Sequence, residues 1–383
     1  MKCLIHELFS GVGLCNQLFS FETAIYLANI SNRKLILLIK NPLCHCGKAS
    51  WNYGYFLNFF TNDFLKYLPN GFECYYKQFP IHIKNILNDE KKTKKIKYKG
   101  SFSNIVFVDT SDNDVSEFCH WRKEESLQFK ENDNYDYLYI TQSNASRCFY
   151  NFYTNENNYK LMYNICKSIK FKQIFYDIAN TIFSSLLTKK NQYNIFFHFR
   201  FGDRHKDKKF IERYNSCIQK NVFPYLDGHI TNMIRPNIYI MCDNMKNTEF
   251  LKKINKYKPV YIETLTKNYI QNFFDNNKML FYNFNKIIDY SVATAIVEML
   301  LCTKADAFVG TISSTFSHYI QYLRYCDNKT YNNYSNINQT NSEFCKLRPV
   351  KKSKIEWIKY NFKGGHPVSW HRFWDLKQKK IKY

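Results

Sequence analysis

Short apolar strands that alternate with helices constrain the fold of this chain more than any other feature of its sequence. In the C-terminal half, strands rich in Ile and Phe and one mostly apolar helix are predicted, the strands at residues 195–199, 238–241 and 307–310 and the helix at 291–304. The N-terminal half opens with a strand at 3–9, a glycine turn, a helix at 16–29 and a strand at 34–40. Strands that alternate with helices are typical of parallel sheets. The pattern therefore predicts an α/β protein with two Rossmann-like halves.

The chain is long enough for two hydrophobic cores, because its 383 residues exceed the usual size of a single-core domain. A helical pattern over residues 157–190 ends in a polar joint, and we predict a domain boundary there. The predicted division is an N-terminal domain of residues 1–190, a C-terminal domain of residues 191–345, and a basic, aromatic tail of residues 346–383 packed on the body.

The charge balance restricts the classes of partner. A net charge of +23, from 55 basic and 32 acidic residues, is typical of binding to nucleic acid or anionic membranes, and it also suits a substrate such as a dianionic nucleotide sugar. A bias toward Lys, Asn and Ile also follows from an AT-rich genome, such as that of a virus or a protist. The densest basic run lies within residues 85–101, which we predict to be an exposed connection.

Cysteine spacing and hydropathy bear on redox state and location. The 13 cysteines form no disulfide framework, and Cys44-His45-Cys46 has no second paired cluster that would complete a zinc site. We therefore predict free thiols in a reducing compartment and no bound metal. The sequence has neither a signal-peptide run at Met1 nor an apolar stretch of 18 residues. The expected location is the cytoplasm, with no membrane span.

The strongest local signal follows a predicted strand and reads His198-Phe199-Arg200-Phe201-Gly202-Asp203-Arg204. An arginine at the end of a strand can bind a diphosphate through two parallel hydrogen bonds and stabilise the charge that builds on a departing diphosphate. Asp203 is placed to orient Arg200 or to support it. By composition alone, the same segment also fits an ordinary strand end with a surface ion pair.

Two turns have the composition of anion sites at helix N-termini. They are Gly13-Leu14-Cys15-Asn16-Gln17, which opens the first helix, and Gly310-Thr311-Ile312-Ser313-Ser314-Thr315-Phe316-Ser317, which follows the last predicted strand. Free backbone N–H groups at a helix N-terminus favour phosphate, and glycine lets the backbone approach a ligand closely. Each turn also fits a simple capping sequence, with Asn16 or a hydroxyl side chain as the cap.

Further polar residues extend this picture. Arg200, Asp243 and Thr311 each come directly after a predicted strand, and in parallel sheets the ligand crevice lies at the carboxyl ends of the strands. Glu298 is the only charged residue within the mostly apolar stretch 292–302. A carboxylate in such a place needs a partner, and it can accept hydrogen bonds from the ring N–H and the exocyclic amine of guanine. A partly solvated face of the helix is the alternative.

Taken in order, these segments resemble the motifs of the fucosyltransferase superfamily, which comprises the protein O-fucosyltransferases and the α1,6- and α1,2-fucosyltransferases. The first turn is similar to the motif G-x-x-N-Q, and His198 to Asp203 match H-x-R-x-G-D. Residues 239–244 look like the strand that ends in T-D-D or S-D-D, and residues 308–317 look like the G-T-x-x-S-T-F-S block. Two positions depart from the pattern, since Cys15 replaces a usual glycine and Phe201 replaces the second arginine of many α1,2 members.

The resemblance implies a GT-B architecture, in which two Rossmann-like domains face a cleft and the C-terminal domain holds most of GDP. It implies inverting, metal-independent transfer of fucose from GDP-fucose to a protein or glycan hydroxyl, without a cofactor. The catalytic residues that it implies are Arg200 on the GDP leaving group, Asn16 near the transferred sugar, and Asp203. The donor-binding positions that it implies are Gly13, Leu14, His198, Asp243, Glu298 on guanine, Ser313, Ser314 and Thr315 on the phosphates, and Phe316.

The catalytic base and the exact substrates are open at this stage. The candidate bases are Asp203, Asp207, Glu212 and Glu7. The alternative functions are transfer from another GDP-sugar such as GDP-mannose, a degenerate transferase that binds GDP without catalysis, and nucleic-acid binding through the tail from Lys351 to Tyr383. Nucleic-acid binding gives no reason for Arg200, Glu298 and the 311–317 turn to occur together, so it is disfavoured. The sequence predicts neither the acceptor nor the linkage.

Overall fold

Each half of the chain forms a parallel β-sheet flanked by helices. The computed structural model describes residues 1–8, 13–39, 57–76, 78–96, 134–140, 164–186, 193–199, 236–242, 252–276, 290–310 and 314–326, together with the single positions 161, 212, 223, 226 and 227. The chain divides into two compact units between Lys172 and Gln173. We call the two parts unit 1 and unit 2.

Unit 1 contains a five-stranded sheet whose described strands all run parallel, in the order β3-β2-β1-β5-β4. Its elements are β1 (Cys3–Glu7), α1 (Leu14–Ile30), β2 (Lys34–Ile39), two short 3-10 helices (Leu57–Phe59 and Asn62–Tyr67), β3 (Phe72–Tyr76), α2 (Ile81–Asn88), β4 (Thr93–Ile96) and β5 (Tyr137–Ile140). Strand β1 lies in the centre of the sheet and is buried along its whole length. A central strand of a parallel sheet needs apolar residues on both faces, which explains its near-continuous apolar sequence.

The two faces of β1 contact different layers, because successive side chains of a strand point to opposite sides. Cys3 and Ile5 belong to the core cluster that also contains Ile83 of α2. On the other face, His6 Nε2 lies 3.1 Å from the Ser20 hydroxyl of α1. Complete burial lowers the pKa of His6 to about 3, so this ring is neutral near pH 7.

Unit 2 contains a four-stranded parallel sheet with the order β8-β7-β6-β9. Its elements are α3 (Gln173–Leu186), β6 (Asn194–Phe199), β7 (Asn237–Cys242), β8 (Val260–Tyr261), α4 (Ile262–Asn276), α5 (Tyr290–Lys304), β9 (Ala307–Gly310) and α6 (Thr315–Cys326). Helix α5 is the central helix of this unit, since α3, α4 and α6 all pack against it. This position explains why its sequence is apolar nearly all round.

The sheet of unit 2 has one face in a core of its own and one face toward the helices. Phe197, Ile240 and Val309 lie in a buried hydrophobic cluster of unit 2, on one face of the sheet. On the opposite face, Phe196 stacks on Tyr239 with ring centroids 4.5 Å apart, and it also contacts Phe183 of α3. His198 comes two residues after Phe196 in β6, so its side chain points to the same, helical face.

The predicted α/β class and its parallel sheets are confirmed. The division between Lys172 and Gln173 places α3 in unit 2, ahead of the boundary that we predicted at residue 190. The division into three parts stays a prediction, because the tail from residue 346 lies outside the described residues. Within the part of the chain that is described, no helix is both long and apolar enough to cross a bilayer.

The exposed connection predicted for residues 85–101 is wrong where the structure describes it. Residues up to Asn88 belong to α2, and Thr93–Ile96 form strand β4. Among the described strands, β4 lies at one edge of the sheet and pairs only with β5. Lysines are tolerated at such an edge and discourage pairing with other chains, so a basic run and a strand are compatible there.

Candidate functional site

The carboxyl edge of the sheet in unit 2 is where three strands end, and several predicted donor residues follow these strands in the sequence. Strand β6 pairs with β7 and with β9, and His198 is in register with Met241 on one side and Gly310 on the other. The chain therefore leaves all three strands at the same edge. Arg200 and Asp243 follow there in sequence, but both lie outside the described residues, as do Asp203, Asp207 and Ser313.

A buried hydrogen bond joins the end of β6 to the first turn of α6. His198 Nδ1 and the Ser317 hydroxyl lie 2.6 Å apart, and both residues are buried. Phe316 contacts the same imidazole, with ring centroids 5.0 Å apart. The two most distinctive sequence segments, which are 119 positions apart, are thus fixed side by side.

Gly310 is required by this contact. A β-carbon at this position would lie 2.6 Å from Ser317 Cβ and 2.9 Å from the Phe308 ring. Distances this short do not occur between real side chains, and Ser317 is held by His198. The glycine therefore allows the first turn of α6 to approach β9 closely.

Gly310→Ala is expected to destabilise the protein by about 1–3 kcal/mol, because the added methyl group overpacks the contact with Ser317. Gly13→Ala is a matched control, since Gly13 has an ordinary φ of −65° and no atom within 4 Å of an added β-carbon. Urea unfolding of both variants measures the difference. Equal stability of the two variants would show that the Gly310 contact is not tight.

The first turn of α6 has the features of an anion site. Ser314 is buried directly before the helix, which begins at Thr315 and runs for 12 residues. The N–H groups of a first turn have no partners within the helix, and the helix dipole favours negative charge there. At the other end of α6, Arg324 donates to the carbonyls of Cys302 and Ala305 at 2.7 Å each, which fixes α6 against the end of α5.

Glu298 lies on α5, half-buried, on the side that faces α4. The Thr266 hydroxyl oxygen of α4 lies 3.1 Å from Glu298 Oε1, within hydrogen-bonding distance. Burial raises the pKa of Glu298 to about 8, and the negative charge of Glu263 acts in the same direction, while the Thr266 hydrogen bond opposes them. The carboxyl group is therefore mostly protonated at pH 7 in the absence of a ligand.

The face of α5 that carries Glu298 has a second polar group that needs a partner. Thr294 lies one helical turn before Glu298, and its buried hydroxyl has no hydrogen-bond partner among the residues that the structure describes. Residues four apart share one side of a helix. The N-terminus of α5 belongs to the carboxyl edge of the sheet, because α5 runs antiparallel to the β9 strand that follows it. Of the two residues, Thr294 is therefore the nearer to that edge, because it lies closer to the N-terminus of α5.

The glycine turn of unit 1 begins α1 as predicted, at the carboxyl end of β1. Gly13 is the N-cap residue, and the side chain of Leu14 is buried in the core, so only its backbone is available to a ligand. Asn16 lies in the first turn of α1. Gln17, which the motif contains but which we did not predict as a site residue, is buried, and its amide nitrogen has no hydrogen-bond partner within the described part of the chain.

The candidate bases have different surroundings. Glu7 is buried and accepts a hydrogen bond from the Tyr139 hydroxyl, whose pKa is raised by burial and by this carboxylate. Glu212 is exposed. The Glu7 arrangement supports the strand and keeps the carboxylate away from solvent. The structure thus gives Glu7 a partner within the sheet and leaves the assignment of the base open.

Sequence reasoning did not identify Ser317 and Thr266 as the residues that contact His198 and Glu298. Ser317 belongs to the quoted turn, and its contact with His198 depends on strand pairing that no local pattern shows. Thr266 lies 32 positions before Glu298 in an amphipathic helix and has no distinguishing neighbour in the sequence. The isolation of Glu298 was the available signal, because a buried carboxyl group requires a hydrogen-bonding partner.

Comparison with known proteins shows similarity at the level of the fold. No family model matches the sequence, and no curated protein matches it. POFUT1 in complex with GDP has a TM-score of 0.47 and 12% identity, covering 86% of this chain and 97% of that chain. The fucosyltransferase NodZ from Bradyrhizobium has a TM-score of 0.45 and 13% identity, covering 84% of this chain and 92% of that chain. In fold, this chain is similar to both proteins.

Proposed function

We propose that this chain is an inverting, metal-independent glycosyltransferase that moves fucose from GDP-fucose to a hydroxyl group of a protein or glycan. The observation that carries the proposal is the buried hydrogen bond between His198 and Ser317. It joins His198 of the H-x-R-x-G-D segment to Ser317 of the G-T-x-x-S-T-F-S segment. Their resemblance to fucosyltransferase motifs supplies the identity of the donor.

The diphosphate of the donor is assigned to the first turn of α6. The helix begins at Thr315, and Ser313, Ser314 and Thr315 are the residues that would supply hydroxyl and backbone N–H donors to an anion there. Arg200, directly after β6, is assigned to the leaving group, because a guanidinium can form two hydrogen bonds to phosphate oxygens. Together these groups would stabilise the negative charge that builds on GDP as the glycosidic bond breaks. A divalent cation stabilises this charge in other enzymes.

Guanine is assigned to Glu298. The buried carboxyl group has a single protein partner among the described hydrogen bonds, Thr266, and the neighbouring Thr294 hydroxyl has none. A buried polar group without a full set of partners is the kind of site that a polar ligand completes. The ring N–H and exocyclic amine of guanine are paired donors that match a carboxylate, whereas uracil and adenine do not present this pair.

The transferred sugar is assigned to unit 1 on the resemblance of its glycine turn. Gly13 and the Leu14 backbone are assigned to the donor, and Asn16 to the sugar. The open space beside Gly13 is consistent with a close approach by a ligand. Asp203, Asp207, Glu212 and Glu7 are the candidate bases for deprotonating the acceptor hydroxyl.

A calorimetric titration with GDP, UDP and ADP in the presence of EDTA tests the donor site. GDP is expected to bind at least about 100-fold more tightly than UDP or ADP, because the wrong bases leave the buried carboxyl group without partners. GDP-fucose and GDP-mannose are then compared as substrates for slow hydrolysis, which needs no acceptor. Equal binding of the three nucleotides, or binding of none, would contradict the proposal.

A further inference from the structure

The hydroxyl group of Thr266 has one proton and several acceptors within reach. It lies 2.6 Å from the carbonyl oxygen of Ile262, 3.4 Å from that of Glu263 and 3.1 Å from Glu298 Oε1. Thr266 is completely buried, so water does not compete for this proton. The shortest of these contacts is the one to Ile262, within the same helix.

Because the Thr266 hydroxyl has only one proton, the acceptor to which it donates depends on the charge of Glu298. When Thr266 donates to Ile262, its oxygen can hydrogen-bond Glu298 only as an acceptor, which requires a protonated carboxyl group. When Glu298 is ionised, the hydroxyl must turn and donate to Oε1 instead. The two protonation states of Glu298 therefore correspond to two hydrogen-bonding states of Thr266.

The groups around Glu298 favour the neutral state in the empty site. Helix α4 contributes Glu263, whose negative charge opposes ionisation, and one turn along α5 lies Cys302, whose thiol pKa is raised by burial. From α6, Arg324 is bonded to backbone carbonyls at the end of α5. From α3, the buried residues are apolar. No described hydrogen bond or ion pair joins a cation to this carboxyl group.

We propose that Thr266 is a positioning residue that couples recognition of guanine to the loss of one proton from Glu298. The inference rests on the assignment of guanine to Glu298. In the empty site, Glu298 is neutral and Thr266 donates to Ile262. When the base binds, Glu298 releases its proton to the solvent and accepts the two N–H groups of guanine, while Thr266 turns and donates to Oε1. Charge is balanced, because one proton leaves as one carboxylate forms.

The coupling makes donor affinity depend on pH in a defined direction. Free Glu298 must lose its proton to bind, so affinity increases by about tenfold per pH unit up to the pKa near 8 and is constant above it. Thr266→Val removes the donor that stabilises the carboxylate. The variant is therefore expected to bind GDP-fucose about tenfold more weakly at pH 7. The pH above which its affinity becomes constant is expected to be higher than in the wild type.

The test is calorimetric titration with GDP-fucose between pH 6 and pH 9, in pairs of buffers with different protonation enthalpies. GDP-fucose is the probe because both ends of its diphosphate are esterified and no phosphate group titrates in this range. The wild type is expected to release nearly one proton per site at pH 6.5. Thr266→Ser, which restores the hydroxyl, is expected to recover the wild-type profile.

Thr303→Val is the matched control, because Thr303 is a buried threonine of α5 whose hydroxyl donates to Leu300 and does not contact Glu298. The Thr303→Val variant is expected to keep the wild-type dependence of GDP-fucose affinity on pH, with the same midpoint. A profile that is independent of pH, or a Thr266→Val variant weakened equally at every pH, would overturn the coupling while leaving the donor site intact. Absence of GDP-fucose binding at all pH values would overturn the proposed function as well.

Discussion

Arg200→Ala is expected to lower the rate of GDP release from GDP-fucose by about 10³-fold or more, while the fold remains intact. A guanidinium that contacts a departing diphosphate acts most strongly when the charge develops, so its loss reduces kcat more than it weakens binding of the donor. Because β6 ends at Phe199, Arg200→Ala changes no residue of this strand and is not expected to disturb the core. Hydrolysis by water serves as the readout, since no acceptor needs to be known.

Two control variants separate charge from geometry. Arg200→Lys keeps the positive charge and loses the pair of parallel hydrogen bonds, and it is expected to recover only a small part of the rate. Arg204→Ala removes a cation of the same segment. Its hydrolysis rate is expected to stay within about tenfold of the wild-type rate, because salt screens a surface charge that does not contact the diphosphate. Circular dichroism and thermal unfolding confirm folding. An Arg200→Ala enzyme with wild-type hydrolysis would remove the central residue of the proposed mechanism.

The strands and helices nearest the site were predictable because burial on both faces makes their sequences nearly continuous apolar runs. Strand β9 has the predicted bounds, and β6 begins one residue before its predicted start. Strand β3 was not predicted, since it lies at the edge of its sheet and all its residues are only partly buried. Its sequence therefore shows no alternation of apolar and polar residues that a pattern could detect.

The first turn of helix α6 was not predicted from the sequence pattern. Its helical pattern was recognised over residues 319–323, but the helix begins at Thr315. The first turn contains hydroxyl residues that are typical of capping turns, and its position is fixed by the contact of Ser317 with His198 and Gly310. These contacts depend on the pairing of β6 with β9, which is a long-range property of the fold.

Individual residues of the candidate site could be predicted from the sequence, but their contacts with one another could not. The isolation of Glu298 in an apolar helix indicated a functional carboxyl group, and the structure adds the partner on α4. The order of the motifs indicated a donor site at the carboxyl edge of a sheet, and the described strands place His198 and Gly310 side by side there. The roles of Arg200, Asp203 and Asp243 stay predictions.

Glu298→Gln is expected to have two opposite effects, a loss of GDP affinity of about 100-fold and a gain in stability at neutral and alkaline pH. The affinity falls because a carboxylate that accepts two N–H groups is replaced by an amide that offers one acceptor and two donors. The stability rises because burial holds the pKa of Glu298 near 8, well above its value in an unfolded chain. A group of this kind stabilises the fold most below pH 4.5, and its contribution decreases as the pH rises toward 8.

Urea unfolding at pH 5, 7 and 8.5 measures the second effect. The variant and the wild type are expected to be similar at pH 5, and the variant is expected to be more stable by about 1–3 kcal/mol at pH 8.5, because glutamine has no ionisation to suppress. Glu263→Gln, a neighbouring exposed carboxyl group in the first turn of α4, is the matched control and should retain GDP binding. A destabilised Glu298→Gln variant with unchanged GDP affinity would mean that the carboxyl group serves the packing of α4 on α5 and does not recognise guanine.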